Sequence, residues 1–169
     1  MKKTLFFLAF LLMPVLASAQ TQGWKFAFFS YEEVLKSMSD YALAAKNMEQ
    51  LRAKYDSEIK RSEEDFHLKY EEFLEDCPTL APSILKKRQA ELQDMMERNT
   101  AFRKESEKLL GQAEKQMFAP VHQRLKNTVR EMGRESGYAF ILNTDNNALP
   151  YADISMGEDI TETLKTVLK

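Results

Sequence analysis

The sequence predicts an α+β fold that is mostly helical, with a small three-stranded body, short flanking helices and a long antiparallel helical hairpin projecting from the body. Three observations support this prediction. Short apolar runs lie near both ends of the chain, residues 40–132 between them contain almost no glycine, and prolines interrupt that region near residue 80. The two ends would therefore form the body, and the middle would form the hairpin.

Two apolar runs, residues 25–29 and 138–142, predict short strands that are buried on both faces. A third strand is predicted over residues 149–154, returning after the turn-forming residues 143–147, with Pro150 at its edge or start. A body of roughly 55 to 60 residues is marginally stable alone. Its strands are apolar on both faces, so we expect them to be buried against further copies of the same body.

Short helices should flank the strands. Ser30 and Glu33 have the spacing of a capping box, which predicts a helix over residues 31–38. Asp159 and Glu162 have the same spacing and predict a last helix. The apolar face of that helix would comprise Leu164, Val167 and Leu168.

The first arm of the hairpin is predicted from residues that recur every three or four positions, which keeps them on one helix face. This stripe comprises Tyr55, Ile59, Ser62, Phe66, Tyr70 and Phe73. Residues 76–82 contain Pro78 and Pro82, which should end the helix and form the tip near residues 76–83.

The second arm should begin near Ser83 and carries a similar stripe, which indicates packing along a partner helix. Its members are Leu85, Arg88, Leu92, Met95, Asn99, Phe102, Ser106 and Leu109. The tight connection makes the preceding helix that partner, and an arm of about 35 residues would reach roughly 50 Å. Pro120 should kink the helix near the junction with the body, and Gly133 or Gly137 can end it.

Apolar residues also fall outside the predicted seam, towards the tip: Leu74, Leu80, Ile84 and Met96. Exposed apolar patches mark interaction surfaces, and flexible methionine side chains suit surfaces that accept many shapes. The alternative is that these residues complete the seam or a contact with a neighbour. The sequence leaves both interpretations open.

The N-terminus has the features of a cleavable signal peptide over residues 1–19. Lys2 and Lys3 precede an apolar run, residues 5–16, that ends in small residues. An uncleaved anchor is the alternative, but spanning a bilayer takes about 20 apolar residues. Loss of the two lysines would leave 22 of the 24 basic residues against 26 acidic ones. This balance argues against a nucleic-acid-binding protein.

Cys77 is the only cysteine, so the chain cannot form an internal disulfide. A free thiol and a bridge between two chains are both compatible with the sequence. The predicted organisation is a signal peptide at 1–19, an oligomerisation body at 20–39 and 120–169, and a hairpin arm at 40–119.

Two segments resemble the Skp, or OmpH-like, family of periplasmic chaperones. The first is KFAFFS at residues 25–30, followed by Glu33, Val34, Leu35, Met38 and Tyr41. The second begins at residues 119–121 and continues through Leu125, Val129, Glu135, residues 137–138, 140–142, 151–152 and 159–161. The segments occur in the order of the family and with hairpin-sized spacing between them. Together they cover essentially the whole mature chain.

The resemblance implies a homotrimer whose strands form a central barrel and whose three arms enclose a cavity. It implies a holdase that binds unfolded outer-membrane β-barrel proteins before their insertion, in the periplasm of a Gram-negative bacterium. It implies no ATP and no other cofactor. The sequence agrees, since it contains no G-x-x-x-x-G-K-[ST] loop for phosphates.

Within that interpretation, weak contacts with an unfolded client are expected from apolar side chains on the arm. The candidates are Tyr55, Phe66, Tyr70, Phe73, Met95, Met96 and Phe102. A second set is expected in the oligomeric core: Phe26, Phe28, Phe140, Ile141 and Tyr151.

Other functions agree less well with the sequence. Neither His67 nor His122 has a histidine or cysteine at i+3 or i+4, and Cys77 lies ten residues from His67, beyond the end of its helix. The acidic runs are better explained as solvated helix faces than as catalytic carboxylates. We therefore predict no enzyme and no metal site. The stronger alternative is a periplasmic coiled-coil adaptor that binds one specific folded partner. A chaperone should bind many unfolded barrels, whereas an adaptor should ignore them.

Contact with lipopolysaccharide or a membrane surface also follows from the resemblance, because relatives have cationic arms. Here residues 40–132 carry comparable numbers of acidic and basic residues, and residues 86–88 form the one compact basic run. A solvated helix start explains this run better than a phosphate site does. The sequence therefore argues against carrying over this contact.

Overall fold

The computed structural model describes residues 24–149, 151, 153 and 155–169, so the predicted signal peptide lies outside the described residues. The elements in chain order are β1 (Phe26–Phe29), α1 (Tyr31–Ser37), α2 (Ser39–Asp76), α3 (Pro82–Glu135), β2 (Phe140–Asn143), β3 (Glu158–Asp159) and α4 (Thr161–Leu168). Short 3₁₀ turns cover Cys77–Thr79 and Asp145–Asn147. The predicted fold, mostly helical with a three-stranded sheet and a long hairpin, is confirmed.

Helices α2 and α3 form the hairpin arm and have 38 and 54 residues, respectively. Pro82 occupies the first turn of α3, where a missing amide donor is tolerated because that amide has no partner within the helix. Helix α3 continues through Pro120 and therefore belongs to both the arm and the body.

Gly137 ends α3. Its φ of 69° lies in the left-handed region that glycine adopts most easily. The amide of Tyr138 donates to the carbonyl of Gly133 at 3.0 Å, and the amide of Gly137 donates to the carbonyl of Arg134 at 3.4 Å. This pair of bonds is a Schellman motif, which satisfies carbonyls at the helix end and turns the chain towards β2.

The sheet has the strand order β2-β1-β3, and both pairs are parallel. Phe26 pairs with Phe140 in one register, and Ala27 pairs with Glu158 in the other. Parallel neighbours need a long crossover connection. Between β1 and β2 that connection is α1 and the whole hairpin arm, so the arm is an insertion between adjacent strands of the body.

The prediction of a third strand over residues 149–154 is wrong in position and direction. None of its described residues lies in a strand, while Pro150, Ala152 and Ile154 lie outside the described residues. The third strand is the two-residue β3, which runs parallel to β1. Its residues Glu158 and Asp159 are polar, so an apolar pattern could not reveal a strand that pairs through the backbone alone.

The core of the body joins β1, α1, α3 and α4. Ala27, Val34, Leu125 and Leu164 have no exposed surface, and Ile160 is buried beside them. This core explains why α4 forms although it has only eight residues, since short helices depend on packing of an apolar face. Leu164 and Leu168 form that face as predicted, but Val167 is 56% exposed.

Side chains from distant parts of the chain stabilise the start of α1. The Ser30 hydroxyl accepts from the Glu33 amide at 3.2 Å, which confirms half of the predicted capping box. Glu33 does not complete the box but pairs with Lys165 of α4 at 2.9 Å. Asp145 accepts from the Ser30 hydroxyl and the Glu32 amide, both at 2.7 Å, and therefore links the turn after β2 to α1.

At the other predicted cap, Asp159 accepts from the amide and the hydroxyl of Thr161, at 2.9 and 2.6 Å. Glu162 pairs with Lys165 at 2.8 Å. Ile160 rather than Asp159 occupies the cap position, so the predicted capping box is not formed. Asp159 still stabilises the start of α4 from one residue earlier.

Candidate functional site

The hairpin arm has a seam that is only partly shielded from solvent. Between residues 49 and 105 no side chain is buried, although the described structure covers this whole stretch. Buried positions appear only nearer the body, at Ala44, Met48, Ser106 and Leu110. Leu110 therefore occupies the seam position predicted for Leu109, which is 38% exposed.

Polar groups interrupt the seam at mid-arm. The side-chain amide of Asn99 donates to the backbone carbonyl of Ser62 at 2.9 Å, across the two helices. Arg103 and Glu63 form an ion pair between the helices next to it. These contacts fix the register of the two helices while they bury little apolar surface.

A groove of about 250 Å³ lies along this part of the arm, and we call it the mid-arm groove. Its apolar lining comprises Ile59, Phe66, Met96 and Phe102, and its polar lining comprises Ser62, Glu63, His67, Asn99, Thr100 and Arg103. Tyr55 lies next to Phe102, with 6.4 Å between ring centroids, and Tyr70 stacks on Phe66 at 6.0 Å. Five of the seven predicted client-binding residues therefore lie in or beside one groove.

A second groove of about 760 Å³, the tip groove, lies between the mid-arm groove and the tip. It contains the other two predicted residues, Phe73 and Met95, together with Ile84 and Leu92. Its charged side chains include two pairs within α3, Lys87 with Glu91 at 3.5 Å and Arg98 with Asp94 at 3.0 Å. The predicted basic run at residues 86–88 is thus partly neutralised.

Among the predicted client-binding residues, three expose more than a third of their surface: Met96 (54%), Tyr70 (43%) and Phe102 (38%). The other four are half-buried, because they also take part in the seam. Leu74 (53%), Ile84 (47%) and Leu68 (60%) are exposed on the same arm. Leu68 was missed because it lies outside both the seam and the tip cluster.

The body also exposes an apolar face, which we call the body face. Phe26 stacks on Phe140 with 5.5 Å between ring centroids, and Trp24 contacts Phe140 edge-on at 6.4 Å. Phe140 is 40% exposed and Trp24 78%. A Cβ atom at Gly157 would collide with the Phe26 ring, so a larger residue there would have to displace that ring.

The five residues predicted for an oligomeric core do not share one face. Phe26 and Phe140 are partly exposed on the body face, and Phe28 is half-buried on β1. Tyr151 is 81% exposed in the segment that follows β2. Ile141 is on the inner face, since it pairs with the buried Ala27 and packs against Gly133 and the chain's own core. Trp24 and Met156 are additional exposed residues that the sequence did not single out.

Titratable groups near the body form a small surface cluster. Burial of the ring and a 2.5 Å hydrogen bond to the Glu158 carboxylate raise the pKa of Tyr138 to about 12. The same bond, with Lys25 nearby at 3.6 Å, lowers the pKa of Glu158. Lys25 also lies 4.6 Å from the centre of the Tyr138 ring. The cluster joins the start of β1, the end of α3 and β3.

The candidate nucleophiles and metal ligands are scattered. His67 lines the mid-arm groove, Cys77 is a free thiol at the tip, and His122 contacts the Tyr31 hydroxyl at 2.8 Å. Over the described residues, no three His, Cys, Asp or Glu side chains are placed to hold a metal ion. Within the same residues, no helix has both the length and the apolar character that a membrane span requires.

Comparison with known proteins identifies the family. The family described as "Outer membrane protein (OmpH-like)" matches residues 25–168, which include the body, the arm and α4. The chain belongs to the OmpH-like family. The resemblance inferred from the two terminal segments is therefore confirmed.

One solved structure similar to this OmpH-like chain is the OmpH-like candidate outer membrane chaperone of Caulobacter crescentus CB15. The two have a TM-score of 0.69 and 16% sequence identity, over 88% of this chain and 85% of that chain. At that identity the likeness concerns the fold. No match was found among curated proteins.

Proposed function

We propose that this OmpH-like protein is an ATP-independent periplasmic holdase that binds unfolded outer-membrane β-barrel proteins and prevents their aggregation before insertion. The observation that carries this proposal is the arm itself. It is a long helix pair without a buried side chain between residues 49 and 105, and it presents partly exposed aromatic and methionine side chains along its length.

The energetics of this surface suit a client that must be released without ATP. Complete burial of a large apolar side chain contributes about 1.5–3 kcal/mol, so a half-exposed one has about half of that left to contribute. Contacts of about 1 kcal/mol each, distributed over two grooves, give useful affinity only in combination. Each contact breaks easily, so a client can move within the site and leave when a better partner is available.

The shape of the surface also favours clients without one fixed structure. Met95 and Met96 contribute flexible side chains to the two grooves, and methionine adapts to partners of varied shape. Strands of outer-membrane barrels alternate apolar and polar residues. The mid-arm groove has both apolar and polar lining and therefore complements such alternation.

We further propose that the protein works as a homotrimer in which the body face is covered by other copies. The exposed rings of Trp24 and Phe140 in this face support association, because exposed apolar patches mark interaction surfaces. The number three comes from the OmpH-like resemblance. Three arms around one axis would enclose a cavity lined by their grooves.

Dilution of a urea-denatured outer-membrane barrel protein into buffer, with and without the purified mature chain, tests the holdase proposal by light scattering. We expect suppression without ATP, and we expect it to persist at high salt because the contacts are apolar. The variant Tyr70→Ser/Met96→Ser should need several-fold more protein for the same suppression. The matched control Leu43→Ser/Val167→Ser removes equally exposed apolar groups outside the two grooves and should behave as wild type.

Unchanged scattering with several barrel clients would rule out the holdase role. A dedicated adaptor would then be the better interpretation, and the arms should instead capture one folded partner. If wild type suppresses aggregation but the two double variants are equally active, clients bind elsewhere than in the two grooves.

Assembly is tested by the mass of the mature chain in sedimentation equilibrium. The variant Phe140→Glu places a charge in the body face and should lower that mass towards one copy. Trp24 is the only tryptophan and lies against Phe140, so its emission should shift to longer wavelength on dissociation. A wild-type mass of one copy would contradict the proposed trimer.

A further inference from the structure

The methionines of the chain differ widely in their exposure to solvent. Met38 and Met48 are 1% and 5% exposed, whereas Met96 and Met156 are 54% and 73% exposed. Met96 lies in the mid-arm groove with Phe66 and Phe102. Met156 follows the turn at Asp153 in the body and lines neither groove.

Peroxides oxidise accessible thioethers by a two-electron reaction. The sulfur attacks one peroxide oxygen, and the O–O bond breaks as the S–O bond forms. With hydrogen peroxide, the second oxygen leaves as water. The product is methionine sulfoxide, which is polar where the thioether was apolar, and reductases can reverse the change. Buried thioethers react slowly because the oxidant cannot reach them.

We propose that Met96 is a site of oxidation by peroxides, and that its sulfoxide weakens binding of unfolded clients in the mid-arm groove. This inference rests on the proposed holdase function. Met96 combines two properties that no other methionine of the described chain shares, since it is more than half exposed and also lines a groove with aromatic side chains.

The location of Met96 predicts a loss of binding without unfolding of the arm. Its side chain projects from α3 where no residue is buried, so a sulfoxide there remains hydrated and disturbs no core. It does replace an apolar part of the groove wall beside Phe66 by a strong hydrogen-bond acceptor. A client's apolar side chain would then have to displace water from that acceptor, which costs free energy.

The test treats the full mature chain with a low dose of hydrogen peroxide and then with dithiothreitol. The thiol reagent reverses oxidation of Cys77 to a sulfenic acid or disulfide and leaves methionine sulfoxides intact. Peptide mass spectrometry then gives the order in which the methionines react. We expect Met96 and Met156 to be oxidised first, and Met38 and Met48 to be protected.

Suppression of client aggregation is measured on the same samples for wild type, Met96→Leu and Met156→Leu. Leucine keeps the apolar volume and cannot be oxidised, and such swaps are well tolerated. We expect wild type and Met156→Leu, once oxidised, each to need at least threefold more protein for half-suppression than the same protein before treatment. Oxidised Met96→Leu should stay within twofold of its untreated form, and circular dichroism should be unchanged in all samples.

Three results would overturn the proposal: protection of Met96 from peroxide, full suppression by wild type in which Met96 is oxidised, or equal losses in wild type and Met96→Leu. Failure of the holdase function itself is distinguishable. In that case the untreated chain would not suppress aggregation, while mass spectrometry would still report the accessibility of Met96.

Discussion

The body and the outer arm are built from the same chain by different physical means. In the body, side chains from β1, α1, α3 and α4 converge on a core whose central members are completely buried. Along residues 49–105 of the arm, two helices contact each other along one stripe, and every side chain keeps some exposure to solvent. The difference follows from geometry, because two helices without a third layer shield side chains only along their shared seam, and in residues 49–105 that seam buries none completely.

The body and the arm therefore have different roles. Burial in the body fixes the position from which the arm projects, and the ion pair of Asp40 with Arg124 at 2.5 Å joins the two helices near the arm's base. The incomplete burial in the arm is what leaves aromatic and methionine surface available to a partner. A thicker arm would be more stable and would present less of that surface.

The largest expected effect is on the body core. Leu125→Ala removes a fully buried side chain and should lower the free energy of unfolding by about 2–5 kcal/mol. Leu92→Ala in the arm seam removes a half-buried one and should lower it by about 1–2 kcal/mol. Urea unfolding at one fixed protein concentration measures both. Equal losses would show that the arm seam is as well shielded as the body core and would contradict the difference between the two regions.

An intermediate effect is expected from the polar break in the seam. Asn99→Leu should raise the stability of the arm by about 0.5–1 kcal/mol, because a polar residue at a seam position weakens helix packing. The Ser62 carbonyl lies inside α2 and keeps its bond within the helix, so no buried acceptor is left unpaired.

Hydrogen exchange of the amides around Ser62 checks this prediction. The exposed neighbour Thr100 provides a control, since Thr100→Leu adds apolar surface outside the seam and should leave exchange unchanged. Faster exchange in Asn99→Leu would mean that the cross-helix hydrogen bond stabilises the arm more than apolar packing could.

The smallest expected effect concerns the surface cluster of the body. The pKa of Tyr138 is raised to about 12, so the stabilisation from its neutral hydroxyl is complete below the ordinary tyrosine value near 10 and is lost as the pH rises through about 12. The pKa of Glu158 is lowered, so its contribution is present at neutral pH and is lost as the pH falls through that lowered value.

Urea unfolding of wild type and Tyr138→Phe as a function of pH tests this pair. Wild type should be slightly more stable at neutral pH, and the difference should shrink between pH 10 and about 12. Lys36→Gln, at an exposed ion pair remote from this cluster, controls for general charge effects. A difference independent of pH in this range would contradict a role for the hydroxyl proton.

Much of the architecture could be predicted because it depends on local patterns. The heptad spacing along the arm, the prolines at the tip and Gly137 after α3 all act within a few residues of their position. The family resemblance depended on the terminal segments, which form β1, α1, part of α3, β2 and the start of α4. These segments meet in three dimensions, in the sheet and the core of the body.

The partners of individual side chains could not be predicted in the same way. Glu33 has the spacing of a capping box, yet Lys165 from the other end of the chain attracts it. Asp145 could be assigned to a turn from its neighbours, but its role at the start of α1 depends on contacts across 113 residues. Hydrogen bonds and ion pairs to such distant partners are as strong as those to local ones, so only the fold decides which form.

Sequence alone determined that this chain forms a strand-containing body and a long helical hairpin, because periodicity and helix-ending residues are local properties. It also determined the family, through the residues of the two terminal segments. Only the tertiary structure decided that β3 is a polar two-residue strand parallel to β1, that Ile141 faces inwards while Phe140 faces outwards, and that Met96 is exposed in a groove. Each of these depends on which surface meets which, and burial is a property of the assembled chain.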